Sequence, residues 1–148
     1  MKRKIILYAA VFLLAGATAT GYFAYREYHR KQKDVLELDA TFTLSSEAII
    51  KEFSTDEKKS NAKYLDKVIA VNGIIKSVDK DDQGGYTVIL KSGEPMSTVR
   101  CTMDSLHNQE AASQKTGSNV NIKGICTGFT SDDLVGSDLI LNRCSILK

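Results

Sequence analysis

Two strand-like runs of the chain carry a glycine near their centre, and this feature constrains the fold more than any other. Residues 68–78 read V-I-A-V-N-G-I-I-K-S-V around Gly73, and residues 119–127 read N-V-N-I-K-G-I-C-T around Gly124. A glycine inside a β-branched run weakens a flat strand and usually marks a bulge or a sharp bend. Small closed barrels need such bends to coil their strands. The pattern therefore predicts a small closed β-barrel.

Three further strand-like runs lie between turn signals. An acidic connection that ends in two glycines, residues 79–85, precedes one run, and the turn S-G-E-P at 92–95 precedes the next. Residues 104–115 contain a short helix that Gly117 can end, and residues 128–137 are predicted to form a loop. The predicted strands are 68–78, 86–91, 98–103, 119–127 and 138–146. Three strands, a helix and two strands is the order of the five-stranded OB barrel, an all-β fold with helical additions.

A short helical lead-in precedes the predicted barrel. Ser45 or Ser46 can serve as the N-cap of its first helix. The apolar residues at near-helical spacing are Leu44, Ile49, Ile50 and Phe53. A second, mostly polar helical stretch covers residues 55–65. An apolar helical stripe normally packs into a core, so we expect the lead-in to cover an open end of the barrel.

The beginning of the chain predicts a membrane segment. Lys2, Arg3 and Lys4 precede residues 5–25, which carry no charge, and about 20 apolar residues of helix cross a bilayer core. A cleaved signal peptide is the alternative, with Ala17-Thr18-Ala19 as its small-residue cleavage site. The apolar stretch continues past that site, which favours a retained transmembrane helix. The expected organisation is an anchor or signal segment at 1–25, a charged linker at 26–42, and an OB domain with N-terminal helices at 43–148.

The charges divide between the two parts of the chain. Residues 1–38 hold seven Lys/Arg against three Asp/Glu, while residues 39–148 hold thirteen against fifteen, so the predicted domain is net acidic. This division excludes a strongly basic nucleic-acid-binding domain. Basic residues flank both ends of the apolar stretch in similar number, but its signal-like start favours a single membrane pass with the N-terminus inside and the domain exported. The three cysteines are compatible with such an oxidising compartment.

The chain resembles the bacterial family of tRNA-anticodon-like OB proteins over about residues 39–148. The matching segments are S-S-E-A-I-I-K-E-F, E-K-K-S-N-A-K-Y-L-D-K-V-I-A-V-N-G-I-I, T-V-R-C-T-M, V-N-I-K-G-I-C-T-G and L-N-R-C-S-I. The resemblance implies an OB fold, often with an N-terminal anchor or signal, and no assigned activity. Together with the apolar N-terminus, this resemblance to a bacterial family leads us to expect a single-pass protein of the bacterial inner membrane with a periplasmic domain. It implies a role with nucleic acid through the family's name alone, and a fold does not imply a function.

The usual binding surface of an OB barrel lies on its second and third strands. Alternation points Val99, Cys101 and Met103 inward, and leaves Ile89 outward on the neighbouring strand. The candidate binding residues on the outer face are Lys76, Thr87, Lys91, Thr98, Arg100 and Thr102. This face offers cations but no aromatic ring on which bases could stack.

The cysteines are the other candidate sites. A disulfide between Cys126 and Cys144 would join the fourth and fifth strands, with Cys101 as the alternative partner of Cys144, and three buried thiols are an equal alternative. Without a CxxC motif, and with His107 as the one histidine of the predicted domain, we expect no metal site and no cofactor. The acidic run at 79–84 lacks the closing carboxylate of a calcium loop, because Leu90 occupies that position.

These observations lead to three hypotheses about function. The favoured one is a membrane-tethered, non-enzymatic OB-fold binding module of the bacterial envelope, whose partner is an unknown protein or small ligand. The alternative is a single-stranded nucleic-acid-binding protein of the anticodon-binding type. In the third, the domain is an assembly module that makes contacts through its lead-in helices.

Overall fold

The computed structural model describes residues 21–23, 25–26, 34–132 and 136–147. The chain divides into two compact units, residues 1–33 and 34–148. In the first unit the described residues are helical, and most of the predicted anchor or signal segment lies outside the described part. Among the residues that the structure describes, no helix is long and apolar enough to cross a membrane.

The second unit is mostly strand. Among its described residues, a 3₁₀ turn at Val35–Glu37 precedes six strands and three helices. The strands are β1 (Phe42–Ser45), β2 (Val68–Lys80), β3 (Tyr86–Lys91), β4 (Thr98–Met103), β5 (Asn119–Asp132) and β6 (Gly136–Leu147). The helices are α1 (Ser46–Thr55), α2 (Glu57–Tyr64) and α3 (Asn108–Ala112). The second unit begins at Asp34, so residues 34–42, which composition assigns to the linker, fold with the domain.

Five of the strands close into a ring. The sheet order is β1-β2-β3-β4-β6-β5, and an additional pairing of β2 with β5 completes the closure. The β4–β6 pair is parallel, and the other pairs of the ring are antiparallel. This is the strand order of an OB barrel, so the predicted OB-like fold is confirmed. The short strand β1 was not predicted, and it pairs in parallel with the first half of β2.

The prediction of a loop at residues 128–137 is wrong. Strand β5 continues to Asp132 and β6 starts at Gly136, and the two strands stay paired through Phe129 and Leu139. The Phe129 ring stacks on Phe53 of α1 with 4.8 Å between the ring centroids. This long-range aromatic contact supports strand geometry in a segment whose Gly, Ser and Asp residues are typical of a turn.

The two central glycines allow close packing in different places. Gly73 pairs with Val120 and Gly124 pairs with Ile69, so the two glycines lie at different places along the β2–β5 pair. A Cβ at Gly73 would lie 2.5 Å from Ser46 Oγ, and a Cβ at Gly124 would lie 2.5 Å from Cys144 Sγ. Each glycine therefore lets another element approach the strand more closely than a side chain would permit.

Helix α1 covers the barrel as the apolar stripe predicted. Ile49, Ile50 and Phe53 are buried in the same core cluster as the inward side chains of the strands, and α1 contacts β2, β3, β4 and β6. Ser45 is the N-cap, because its hydroxyl accepts a hydrogen bond from the Ala48 N–H at 3.2 Å. The neighbouring Ser46 is buried and its hydroxyl donates to the carbonyl oxygen of Lys91, which connects the helix to β3.

Candidate functional site

The outward side chains of β3 and β4 form one continuous face. The register places Thr87 beside Thr102, Ile89 beside Arg100, and Lys91 beside Thr98. All six candidate residues from the sequence lie on this side of the barrel, since Lys76 joins them from β2. Its position depends on a bulge: Ile75 pairs with Leu90 and Ser77 pairs with Ile89, which leaves Lys76 as an extra residue on β2. Bulges commonly redirect a side chain in this way next to functional sites.

Two adjacent hollows lie on this face and share Lys76. The first, of about 290 Å³, is lined by Lys76, Lys91, Gly93, Glu94, Pro95 and Ser97. The second, of about 200 Å³, is lined by Lys76, Ser77, Ile89, Met96, Thr98, Arg100 and Asp138. Ile89 points outward as predicted, yet only 7% of it is exposed, so it forms an apolar floor between charged neighbours.

Carboxylates accompany the cations of this face. Glu94 accepts a hydrogen bond from the Ser97 hydroxyl at 3.0 Å, and Asp138 accepts one from the Thr98 hydroxyl. Glu47 lies at one end, where it lines a third hollow together with Lys91. We call the surface formed by Lys76, Lys91, Arg100, Glu47, Glu94 and Asp138 around Ile89 the mixed-charge face. Within the part of the chain that the structure describes, none of its three cations has an ion-pair partner.

Thr98 differs from the sequence expectation. Its register is outward, but it is only 6% exposed and its hydroxyl is bonded to Asp138. It therefore positions that carboxylate and does not itself face solvent. Thr102 is exposed and Thr87 half-buried at the far end of the face.

Aromatic rings do not line the hollows of this face among the described residues. Tyr86, the aromatic residue at the start of β3, is half-buried and packs against the core. The Lys80 ammonium lies 5.5 Å from the centroid of the Tyr86 ring. The backbone N–H of Tyr86 donates a hydrogen bond to the Asn108 side chain at 3.2 Å. The face therefore provides charge and an apolar floor, without a stacking platform.

All three cysteines are free and fully buried thiols in the structure. The Cys144 thiol contacts that of Cys101, and burial, followed by this contact, raises the pKa of Cys144 well above its ordinary value. Burial also raises the pKa of the Cys126 thiol to about 11. High thiol pKa values of this kind indicate inert side chains, because the thiolate is the reactive species.

His107 is committed to a partner far away in sequence. Its Nε2 atom lies 2.9 Å from Asp34 Oδ2, whereas Cys101 is fully buried in the core. The sequence did not single out Asp34, which falls in the predicted linker. Groups of three or more candidate metal ligands are absent from the described ranges.

Comparisons with known proteins agree on the fold. A family model described as tRNA_anti-like matches residues 1–144. A solved structure from Klebsiella pneumoniae, described as a "putative nucleic acid-binding lipoprotein", is 20% identical; the match covers 72% of this chain and 91% of that one, with a TM-score of 0.56.

Two further solved structures match this chain with lower TM-scores. The S. pombe Stn1-ten1 complex matches at 20% identity over 55% of this chain and 58% of that one, with a TM-score of 0.39. The Entamoeba histolytica asparaginyl-tRNA synthetase matches at 12% identity over 59% of this chain and 22% of that one, with a TM-score of 0.40. A search of curated proteins found no match. At these identities only the Klebsiella similarity is informative, and it supports a shared fold.

Proposed function

We infer that this chain, which belongs to the tRNA_anti-like family, is a membrane-tethered, non-enzymatic binding module of the bacterial envelope. Its mixed-charge face binds a segment of a partner protein that carries side chains of both signs. The observation behind this proposal is the pattern of charges on that face. Three cations and three carboxylates surround one apolar floor, so the surface is close to electrically neutral.

Charge complementarity favours a polypeptide over a nucleic acid. A phosphodiester backbone carries one negative charge per nucleotide, so Glu47, Glu94 and Asp138 would repel it. A polypeptide can place acidic side chains against the cations and basic side chains against the carboxylates. Ile89 and the half-exposed Met96 then offer an apolar contact for an aliphatic side chain.

Single-stranded nucleic acid is the second candidate. It is favoured by the three cations on the usual OB surface, which have no ion-pair partner among the described residues, and by the description of the Klebsiella protein. The neighbouring carboxylates, and the lack of an aromatic ring along the described hollows, weigh against it because single-strand binding depends on base stacking.

The tether and the lack of enzymatic activity rest on separate observations. The uncharged run at residues 5–25 supports the tether. Protease added to spheroplasts should digest the domain, and a domain that is protected until the membrane is broken would refute a periplasmic location. The engagement of His107 by Asp34 and the burial of Cys101 support a non-enzymatic module, because neither side chain is placed for nucleophilic catalysis.

A selection experiment tests the binding face directly. Random peptides displayed on phage are selected on the full chain in detergent micelles, and in parallel on Lys91→Glu and on Lys58→Glu, a control on exposed α2. We expect wild-type peptides with both acidic and basic positions. The Lys91→Glu selection should lose acidic positions, and the control selection should match the wild type. Selections that do not change with Lys91→Glu would refute the proposed face.

Fluorescence anisotropy with labelled oligo-dT and oligo-U tests the second candidate on the same preparation. We expect no saturable binding tighter than about 10 μM at about 0.15 M salt. Tight, salt-sensitive binding that Arg100→Glu abolishes would replace the peptide hypothesis with the nucleic-acid one.

A further inference from the structure

Helices α1 and α2 flank a hollow of about 660 Å³, which we call the helix cleft. The lining residues of α1 recur at the spacing i, i+3, i+4, i+7, and so do those of α2 and its N-cap, so each set lies on one face of its helix. Among the described residues, the cleft shares no lining residue with the three hollows of the mixed-charge face. The residues that line it are Ala48, Lys51, Glu52, Thr55, Asp56, Lys59, Ser60 and Lys63.

The corner between the two helices is held by a single residue. Asp56 ends α1, where its backbone N–H donates to the Glu52 carbonyl oxygen at 3.1 Å. It also starts α2, where its carboxylate accepts a hydrogen bond from the Lys59 N–H at 3.0 Å. At the other end of α2, the hydroxyl of the buried Tyr64 donates to the Glu52 carboxylate at 2.8 Å. The two walls of the cleft are therefore fixed relative to each other before a ligand binds, which lowers the entropy cost of binding.

The cleft offers a ligand more positive than negative charge. The Lys63 ammonium lies 3.0 Å from the Glu52 carboxylate and 4.6 Å from the centroid of the Tyr64 ring. Lys63 and then Tyr64 hold the pKa of Glu52 below its ordinary value, so this carboxylate is ionised and already paired. Lys51 and Lys59 are exposed and have no ion-pair partner in the described part of the chain. Two cations on opposite walls are therefore free to meet an anion.

We propose that the helix cleft is a second binding site, which takes an acidic segment of a partner protein. One acidic side chain of the segment pairs with Lys51 on α1, and another pairs with Lys59 on α2. Small side chains between these lysines leave room for the backbone of the segment; they are Ala48, Thr55 and Ser60. The site gives the lead-in helices the assembly role of the third sequence hypothesis, and it does not depend on the mixed-charge face.

The size of the cleft and its own carboxylates favour a polypeptide over other anions. A hollow of about 660 Å³ has far more space than one phosphate group fills. A nucleic acid carries a phosphate at every nucleotide, and Glu52 and Asp56 would repel such a continuous line of charge. A polypeptide can separate its acidic side chains with neutral residues, and so place negative charge only where the lysines are.

Binding of a fluorescein-labelled hexaglutamate peptide to the full chain in non-ionic detergent micelles tests the site. Fluorescence anisotropy at about 0.1 M salt should show saturable binding with a Kd below about 1 mM. Lys51→Gln and Lys59→Gln should each weaken binding by about two- to fivefold, which is the range for pairs of exposed charges. Lys58→Gln is the matched control, because it removes the same charge from α2 outside the cleft. It should change the affinity less than either cleft variant.

Glu52→Gln should have the opposite effect. Glutamine keeps an acceptor for the Tyr64 hydroxyl but carries no charge, so it repels the acidic peptide less and leaves Lys63 able to pair with it. Hexaglutamate should therefore bind about two- to fivefold more tightly. A purely structural role for these residues would not produce tighter binding. Equal or weaker binding by a variant with the circular dichroism of the wild type would overturn the site. If Glu52→Gln does not fold, the two lysine variants decide.

The remaining outcomes separate this inference from the proposed function. Hexaglutamate that does not saturate, or that binds all the lysine variants equally, would refute the helix cleft and leave the peptide selection on the mixed-charge face untouched. Lys91→Gln should weaken hexaglutamate no more than Lys58→Gln does, and a larger loss than in the cleft variants would move the acidic peptide to the mixed-charge face. Labelled oligo-dT that binds more tightly than hexaglutamate, and that Lys51→Gln and Lys59→Gln weaken, would replace the acidic segment with a nucleic acid.

Discussion

Gly124→Ala is a precise test of how the barrel closes. A Cβ at this position would lie 2.5 Å from Cys144 Sγ, whereas its next neighbours, the Asn142 carbonyl oxygen and Leu141 Cβ, are at an ordinary 3.4 Å. Cys144 is fully buried, so its sulfur has little space into which it can rotate. The added methyl group must therefore push β5 and β6 apart.

The expected loss of stability follows from this single clash. Overpacking a well-packed core usually costs about 1–3 kcal/mol, and we expect a decrease of that size in the free energy of unfolding. Cys144→Ala removes the atom that clashes. In the double variant the new methyl group fills part of the space that the sulfur leaves, so the two substitutions should couple favourably by roughly 0.5–3 kcal/mol.

Urea unfolding of the full-length protein in detergent, followed by far-UV circular dichroism, measures the free energy of unfolding of the wild type, the two single variants and the double variant. Gly128→Ala is the matched control on the same strand, because a Cβ there would meet no atom of the described residues within 4 Å, and its effect should stay within about 0.5 kcal/mol. If Gly124→Ala were no more destabilising than Gly128→Ala, or if Cys144→Ala gave no rescue, the close approach of β5 and β6 would be refuted.

Three further predictions use the same preparation. Gly73→Ala should lower the free energy of unfolding by about 1–3 kcal/mol, because its Cβ would displace the Ser46 hydroxyl; an unchanged urea midpoint would contradict the packing of α1 on β2. Lys63 holds the pKa of Glu52 below its ordinary value, so the stability from this carboxylate is complete above about pH 4.5 and is lost as the pH falls through the native pKa. Glu52→Gln should therefore show a smaller loss of stability over that pH range when urea unfolding is measured at each pH. Equal losses in the wild type and the variant would contradict this ion pair. Cys126, with its pKa raised to about 11, should resist iodoacetamide at pH 8.5 until urea unfolds the chain, and rapid modification of the native protein, detected by mass spectrometry, would show that its burial is wrong.

Local signals predicted the parts of the barrel that depend on neighbouring residues. The predicted ranges of β3 and β4 match the structure residue for residue, because each strand is short, alternates clearly and is bounded by turn residues. The long β5–β6 hairpin was missed because its extension depends on Phe129 meeting Phe53 of a distant helix. Strand β1 was missed because four residues carry too little periodic pattern to separate them from a helix start.

The candidate site was likewise predicted only where it depends on neighbouring residues in the sequence. Alternation was sufficient to place Lys91 and Arg100 on one outer face. The carboxylates could not be placed without the fold, because Asp138 reaches the face through the parallel pairing of β4 with β6. The segment at residues 34–38, which covers β5, had one signal in the sequence, a charged side chain at Lys123 within the strand-like run around Gly124. Its meaning depends on the two carbonyl groups that Lys123 binds far away in the chain.

The parallel pairings described above also have a kinetic consequence. Strand β1 pairs with β2 across two intervening helices, and β4 pairs with β6 across α3 and all of β5. Contacts that are so distant in sequence slow folding, and barrels of this kind typically fold in milliseconds to seconds. Since β6 lies between β4 and β5 in the ring, the barrel cannot close until β6 is available to pair with both of them. A chain that is threaded across a membrane from its N-terminus would therefore remain open, and exposed to proteases and chaperones, until almost all of it had crossed.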